Sequence, residues 1–139
     1  MKLAFVFPGQ GSQSVGMMAG YAGLAQIDET MAAADAALGS SLAALIANGP
    51  AEELAVTTTT QPAMLAADVA VWNAWVAAGG PMPSMVAGHS LGEYAALVAA
   101  GVLNFDAAMK LVKSRSQAMQ DAVPAGVGGM AAVLGIEPG

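Results

Sequence analysis

Residues 88–92 read Gly-His-Ser-Leu-Gly. A serine with glycine two residues before it and two after it is the pattern of a nucleophile elbow, a strand-to-helix turn too tight for a side chain at either flank. Ser90 Oγ then stands exposed at the strand tip, and the Leu91 N–H points into the same space, where it can stabilise an oxyanion. The chain has 17 glycines in 139 residues, so roughly 0.1 chance matches to the pattern are expected and its setting has to carry weight. An apolar run, Ser84 to Ala87, precedes the motif, and an Ala-rich helical pattern, Leu91 to Ala100, follows it. This strand–turn–helix context favours a nucleophile over two glycines that merely let a helix pack close to a strand. His89 adjoins the serine and must point in a different direction. It is therefore a poor base for Ser90 and is expected to line the pocket.

Arg115 is the most informative charge. Ala108, Leu111, Val112, Arg115, Ala118 and Met119 recur at helical spacing, which predicts an inward-facing guanidinium, while Lys110, Lys113, Gln117 and Gln120 fall largely off that stripe. Such a cation needs a partner. Three arrangements are open: an ion pair with one of the ten acids, a stem on the core with its head in solvent, or a bidentate clamp for a substrate carboxylate. Asp68 lies on the stripe of another helix and is expected to be a buried, hydrogen-bonded structural carboxylate. Glu93, in the first turn after the elbow, suits the helix dipole.

The elements that must position these groups follow from hydropathy and punctuation. Leu3 to Phe7 is a continuous apolar run, as in parallel strands buried on both faces. It ends at Pro8-Gly9-Gln10-Gly11-Ser12-Gln13. That loop lacks the third glycine of a dinucleotide fingerprint and the Lys-Ser/Thr of a P-loop. It does sit at the carboxyl edge of the sheet beside the elbow, where such folds bind ligands, and can supply a second backbone oxyanion donor. Helices are expected at about 17–26, 28–38 and 41–47. Thr60 is expected to cap a further helix with Pro62 in its first turn, burying Met64, Leu65, Val69, Trp72, Trp75 and Val76 on one stripe. A last helix is expected from Asn104 to about Asp121. After a loop at 124–129, a final strand is expected at Met130–Leu134.

Composition narrows the partners. The chain is 56% hydrophobic and 10% charged, with mean hydropathy +0.59, which implies larger buried surfaces than one small domain supplies. The most apolar windows contain Asp68, His89 and Glu93, so no membrane span is expected. The N-terminal run is too short for a secretory signal, and a cytoplasmic protein is expected. Cysteine is absent and histidine occurs once, which argues against disulfides, thiolate catalysis and most zinc sites; no metal and no cofactor are expected. A net charge of −6 without a basic patch argues against nucleic acid.

Four ordered segments carry a resemblance: Phe7-Pro8-Gly9-Gln10-Gly11-Ser12-Gln13, Thr60-Gln61-Pro62-Ala63, Gly88-His89-Ser90-Leu91-Gly92-Glu93-Tyr94 and Arg115-Ser116-Gln117-Ala118-Met119-Gln120. Together they resemble the malonyl-CoA:acyl carrier protein transacylases and the acyltransferase domains of fatty-acid and polyketide synthases. Residues 129–135, Gly-Met-Ala-Ala-Val-Leu-Gly, look like the family's entry into its small subdomain. The resemblance implies a parallel-sheet α/β-hydrolase-like core at 1–127 and the first strand of a ferredoxin-like small subdomain at 128–139. It implies transfer of a malonyl group from malonyl-CoA to the phosphopantetheine thiol of acyl carrier protein through a malonyl ester of Ser90. In that scheme the Gln10 and Leu91 N–H groups hold the oxyanion, Arg115 pairs with the malonyl carboxylate, and His89 and Gln61 line the pocket.

One departure stands out. The family's general base is a histidine from the second half of the domain, and His89 matches nothing of that kind. A missing C-terminal half or a second chain is therefore expected to complete the site. Two other readings compete: an α/β-type serine hydrolase, which leaves Arg115 unexplained, and a catalytically incomplete fragment that serves only as a folding or interaction module.

Overall fold

The computed structural model describes residues 2–123, 126–128 and 135. Strand β1 (Ala4–Phe7) is followed by a 3-10 turn (Ala19–Tyr21) and helices α1 (Ala25–Leu38), α2 (Leu42–Asn48), α3 (Ala51–Leu54) and α4 (Thr57–Ala77). Then come β2 (Met85–Gly88), α5 (Gly92–Ala99) and α6 (Phe105–Ala122). The strands pair in parallel, with Ala4 opposite Met85 and Phe7 opposite Gly88. This register sets the tips of both strands, and the loops that follow them, side by side. The strand expected at Met130–Leu134 and the expected subdomain boundary fall largely outside the described residues.

Helix α4 is the axis of the packing. Every residue from Thr60 to Ala70 is buried, so this stretch is enclosed all round, where the sequence pattern pointed to a single stripe. Its C-terminal turns meet the sheet through an aromatic cluster: Phe5 lies 5.2 Å edge-on to Trp72 and 5.3 Å from Trp75. Val76, expected inside, is exposed.

Other expectations are corrected. The strands are covered on one face only: Phe7 is buried, whereas Val6 is 71% and Met85 61% exposed. The helices lie against the Phe5–Phe7 side, and among the described residues nothing covers the other. The helix expected at 17–26 is instead a run of turns with one 3-10 turn, because Gly20 and Gly23 interrupt it; α1 starts at Ala25. Helix α4 begins at Thr57, and Thr60 does not cap it. The Thr59 and Thr60 N–H groups both donate to Val56 O (2.8 and 2.7 Å), and the buried Thr60 hydroxyl donates to Leu54 O at 2.6 Å. Pro62 accordingly lies past the first turn. Tertiary burial here outweighs the cap preference of threonine. The short α3, between Pro50 and Ala55, had no periodicity long enough to announce it.

The last helix follows expectation at its start, where Asn104 Oδ1 accepts from the Ala107 N–H at 2.8 Å. Its buried line runs through Ala108, Met109, Val112 and Ser116, while Leu111, Ala118 and Met119 are exposed. The stripe is thus rotated from the expected one, and Arg115 sits at its edge, half-buried.

Candidate active site

The elbow is built by steric exclusion. A Cβ on Gly88 would lie 2.0 Å from the Gly92 main chain, and one on Gly92 would lie 2.2 Å from Phe7 O. Strand, turn and helix therefore touch through bare backbone, and β1 crosses the turn at the same distance. Between the two glycines Ser90 adopts φ 52°, the only positive φ of a non-glycine among the described residues. Such a conformation costs on the order of 1–3 kcal/mol and persists only where the surroundings enforce it. The consequence is an exposed Ser90 at the sheet's carboxyl edge.

The hydrogen bonds of the turn leave two donors over among the described residues, the N–H groups of Ser90 and Leu91. Gly92 N donates to His89 O (2.9 Å), Glu93 N to Ser90 O (3.2 Å) and Tyr94 N to Leu91 O (3.0 Å). The Leu91 N–H, at the start of α5, donates to no other described residue. The Gln10 N–H is in the same condition. Its loop is held between the elbow and the start of α4: a Cβ on Gly9 would lie 2.7 Å from His89 O, and Gln10 Nε2 donates to Thr57 Oγ1 at 3.2 Å.

Arg115 reaches the elbow serine. Its Nη2 donates to Ser90 Oγ at 3.1 Å, its Nη1 donates to Gln61 Oε1, and its Cζ lies 5.6 Å from the centroid of the Tyr94 ring. Among the described residues it forms no ion pair; the one salt bridge there joins Lys110 to Asp106. Of the three arrangements open to Arg115, the internal ion pair is absent among the described residues, where the guanidinium is held by neutral groups that leave its charge unmatched. Because Arg115 donates to Ser90 Oγ, the serine's own hydrogen must point elsewhere.

Gln61 is fully buried, and both ends of its amide are occupied: Oε1 by Arg115 and Nε2 by Met119 Sδ at 3.3 Å. It stands behind Arg115 and reaches Ser90 only through it. His89 is exposed, its N–H donates to Phe7 O at 3.1 Å, and no bond joins its ring to Ser90. Tyr94 and Met119 were not singled out in the sequence as contacts of Arg115 and Gln61. Their spacing, four residues after Ser90 and four after Arg115 on helices, is the signal that could have found them.

Asp68, two turns along α4 from Gln61, is buried with its Oδ2 unpartnered among the described residues. The hydrogen-bonded carboxylate expected there is thus only the buried half of that description. Burial raises its pKa from 3.8 to about 7. No group of three or more His, Asp or Glu able to hold a metal occurs among the described residues. No helix among them is long and apolar enough to cross a membrane.

Known proteins resemble this chain closely. The malonyl CoA-acyl carrier protein transacylase of Salmonella typhimurium is 58% identical over 98% of this chain, which spans 44% of that protein. The crystal structure of an acyl-carrier-protein S-malonyltransferase from Burkholderia pseudomallei superposes with a TM-score of 0.94 at 61% identity, covering 99% of this chain and 45% of that one. A malonyl-transacylase solved in complex with a type II polyketide acyl-carrier protein matches with a TM-score of 0.87 at 53% identity, over 89% of this chain and 40% of that one. The chain therefore spans under half the length of these relatives. The acyl transferase domain model matches residues 4–137, and with the elbow, the paired strands and the transacylase-like structures in agreement, the chain belongs to the acyl transferase domain family.

Proposed function

We propose that this chain is the nucleophile-bearing part of an enzyme that moves a malonyl group from malonyl-CoA to the phosphopantetheine thiol of acyl carrier protein. The observation that carries the reading is an arginine with no acidic partner among the described residues, 3.1 Å from an elbow serine. In the proposed reaction Ser90 Oγ attacks the thioester carbonyl, coenzyme A leaves as the thiol, and the malonyl ester remains on the serine. The Leu91 and Gln10 N–H groups would receive the oxyanion. Arg115 would bind the free carboxylate of the acyl group through its remaining N–H groups. Acetyl-CoA has no such carboxylate and would leave the guanidinium unmatched, which supplies selectivity.

The proton of Ser90 needs an acceptor. Arg115 is permanently protonated, and the His89 ring makes no bond to the serine, so the base is assigned to polypeptide outside these residues, a missing C-terminal half or a second chain. Relatives more than twice as long support that assignment. The finer fold is proposed likewise: residues 1–127 as the N-terminal part of an α/β-hydrolase-like core. A cytoplasmic location accompanies the substrates.

The serine-hydrolase alternative uses the same elbow and gives Arg115 no task. Intact mass before and after incubation with malonyl-CoA separates the readings. A malonyl adduct on the full-length wild-type protein, absent from Ser90→Ala, is expected; rapid turnover of simple esters with no malonyl adduct would favour the hydrolase. Binding of malonyl-CoA without any adduct or turnover would leave an incomplete fragment acting as a folding or interaction module.

A further inference from the structure

We propose that Tyr94 is a positioning residue that fixes the plane of the Arg115 guanidinium without neutralising it, so that the acyl carboxylate finds a charged fork already aimed. The inference rests on the reading of Arg115 as the carboxylate clamp and extends it to a side chain outside the reacting atoms.

Among the described residues, three groups touch the guanidinium. Ser90 Oγ and Gln61 Oε1 accept hydrogen bonds from it, and the half-buried Tyr94 ring lies 5.6 Å from Cζ. Hydrogen bonds to the fork restrain it in its plane; a ring face restrains it against tilting out of that plane. Tyr94 is four residues after Ser90 and sits in the first turn of α5, the helix launched by the elbow, with its N–H donating to Leu91 O at 3.0 Å. The turn that orients the nucleophile therefore also delivers the ring, and one rigid backbone segment sets both.

The arrangement has its greatest consequence after acylation. Once Ser90 Oγ is an ester oxygen it is a far poorer acceptor, and the 3.1 Å bond from Arg115 is weakened or lost. The guanidinium then keeps Gln61 and Tyr94. An acid in place of the tyrosine would hold the arginine as firmly, but would form an ion pair with it and compete with the substrate carboxylate. A ring attracts the cation through its quadrupole and leaves the N–H edges free. The neighbouring Glu93 forms no salt bridge with Arg115 among the described residues.

Ester formation at Ser90 from malonyl-CoA and from acetyl-CoA, followed in the intact protein, tests this. Tyr94→Phe keeps the ring face and is expected to stay within about twofold of wild type. Tyr94→Leu is expected to lose roughly 2- to 30-fold with malonyl-CoA and less than twofold with acetyl-CoA. Phenylalanines of increasing fluorination at position 94, which weaken the ring quadrupole at nearly constant size, are expected to give a graded decline. Equal losses for both acyl groups, or a flat fluorination series, would mean that Tyr94 only packs, and would overturn the proposal. Should the full-length wild type, with its base present, form no malonyl ester, the transacylase reading fails by itself. Tyr94 is then judged by the rotation rate of the Arg115 guanidinium, from its 15N resonances assigned by their loss in Arg115→Lys. Faster rotation in Tyr94→Leu than in Tyr94→Phe supports the restraint, and equal rates refute it.

Discussion

Gln61 and Asp68 occupy one helix seven residues apart, and both are buried, yet their polar atoms fare differently. Gln61 has a partner at each end of its amide, Arg115 and Met119. Asp68 has a buried oxygen with no partner among the described residues, and its carboxyl is pushed up to about 7. Burial alone therefore does not say whether a polar group strengthens a fold; the outcome depends on what meets it. The glutamine links the central helix to the arginine beside Ser90. The aspartate is a cost that the core carries at neutral pH.

The largest expected effect tests the aspartate. Its folded pKa of about 7 exceeds the ordinary 3.8, so the folded state holds a proton that the unfolded chain releases. Stability therefore falls as pH rises from near 4, and the full cost is reached only above about 7. At 1.36 kcal/mol per pH unit, three units amount to roughly 4 kcal/mol. Asp68→Asn is expected to match wild type near pH 4 and to exceed it by up to about 4 kcal/mol at pH 8. Urea unfolding followed by Trp72 and Trp75 fluorescence reads the difference, and parallel pH profiles for the two proteins would erase the contrast with Gln61.

A smaller effect is expected for Gln61→Leu, which removes the in-plane acceptor of Arg115 and leaves Met119 unbonded. Losing a hydrogen bond to a charged group costs about 1.5–3 kcal/mol, so malonyl ester formation at Ser90 should fall by one to two orders of magnitude. Gln61→Glu sharpens the same point. A carboxylate there would neutralise Arg115, so unfolding stability should be largely kept while malonyl reactivity is lost; unchanged malonyl selectivity in this variant would disconnect Gln61 from the clamp. The smallest effect is expected from Met119→Leu. It removes only a weak sulfur acceptor, and a change under about 1 kcal/mol in stability is expected, with malonyl ester formation slowed a few-fold at most.

The local features of the site were legible in the residues. Glycines at 88 and 92 declared the elbow because no other residue fits where backbone meets backbone. Asn104 declared the start of α6 because its cap is a contact within four residues. Arg115 was identified as the decisive charge because a lone arginine among apolar helix positions has few ways to be satisfied. Where reading failed, the deciding contact was distant in sequence. The start of α4 turned on Thr60 reaching Leu54, and the one-sided burial of the strands turned on which elements lie against the Phe5–Phe7 face. The unpartnered Oδ2 of Asp68 turned on the absence of a donor from any packed neighbour among the described residues.

The sequence by itself determined the elbow serine, the turn that strains it and the helices that flank it, since these depend on steric and hydrogen-bonding rules acting over a few residues. Only the tertiary structure decided that Arg115 meets Ser90 and Gln61 instead of an acid, that Tyr94 lies against it, and that Gln61 is satisfied where Asp68 is not. Those outcomes depend on how α4, α5 and α6 are rotated against one another. A helix rotation of a few tens of degrees exchanges one partner for another at almost no cost in local propensity, so nothing local could have recorded it.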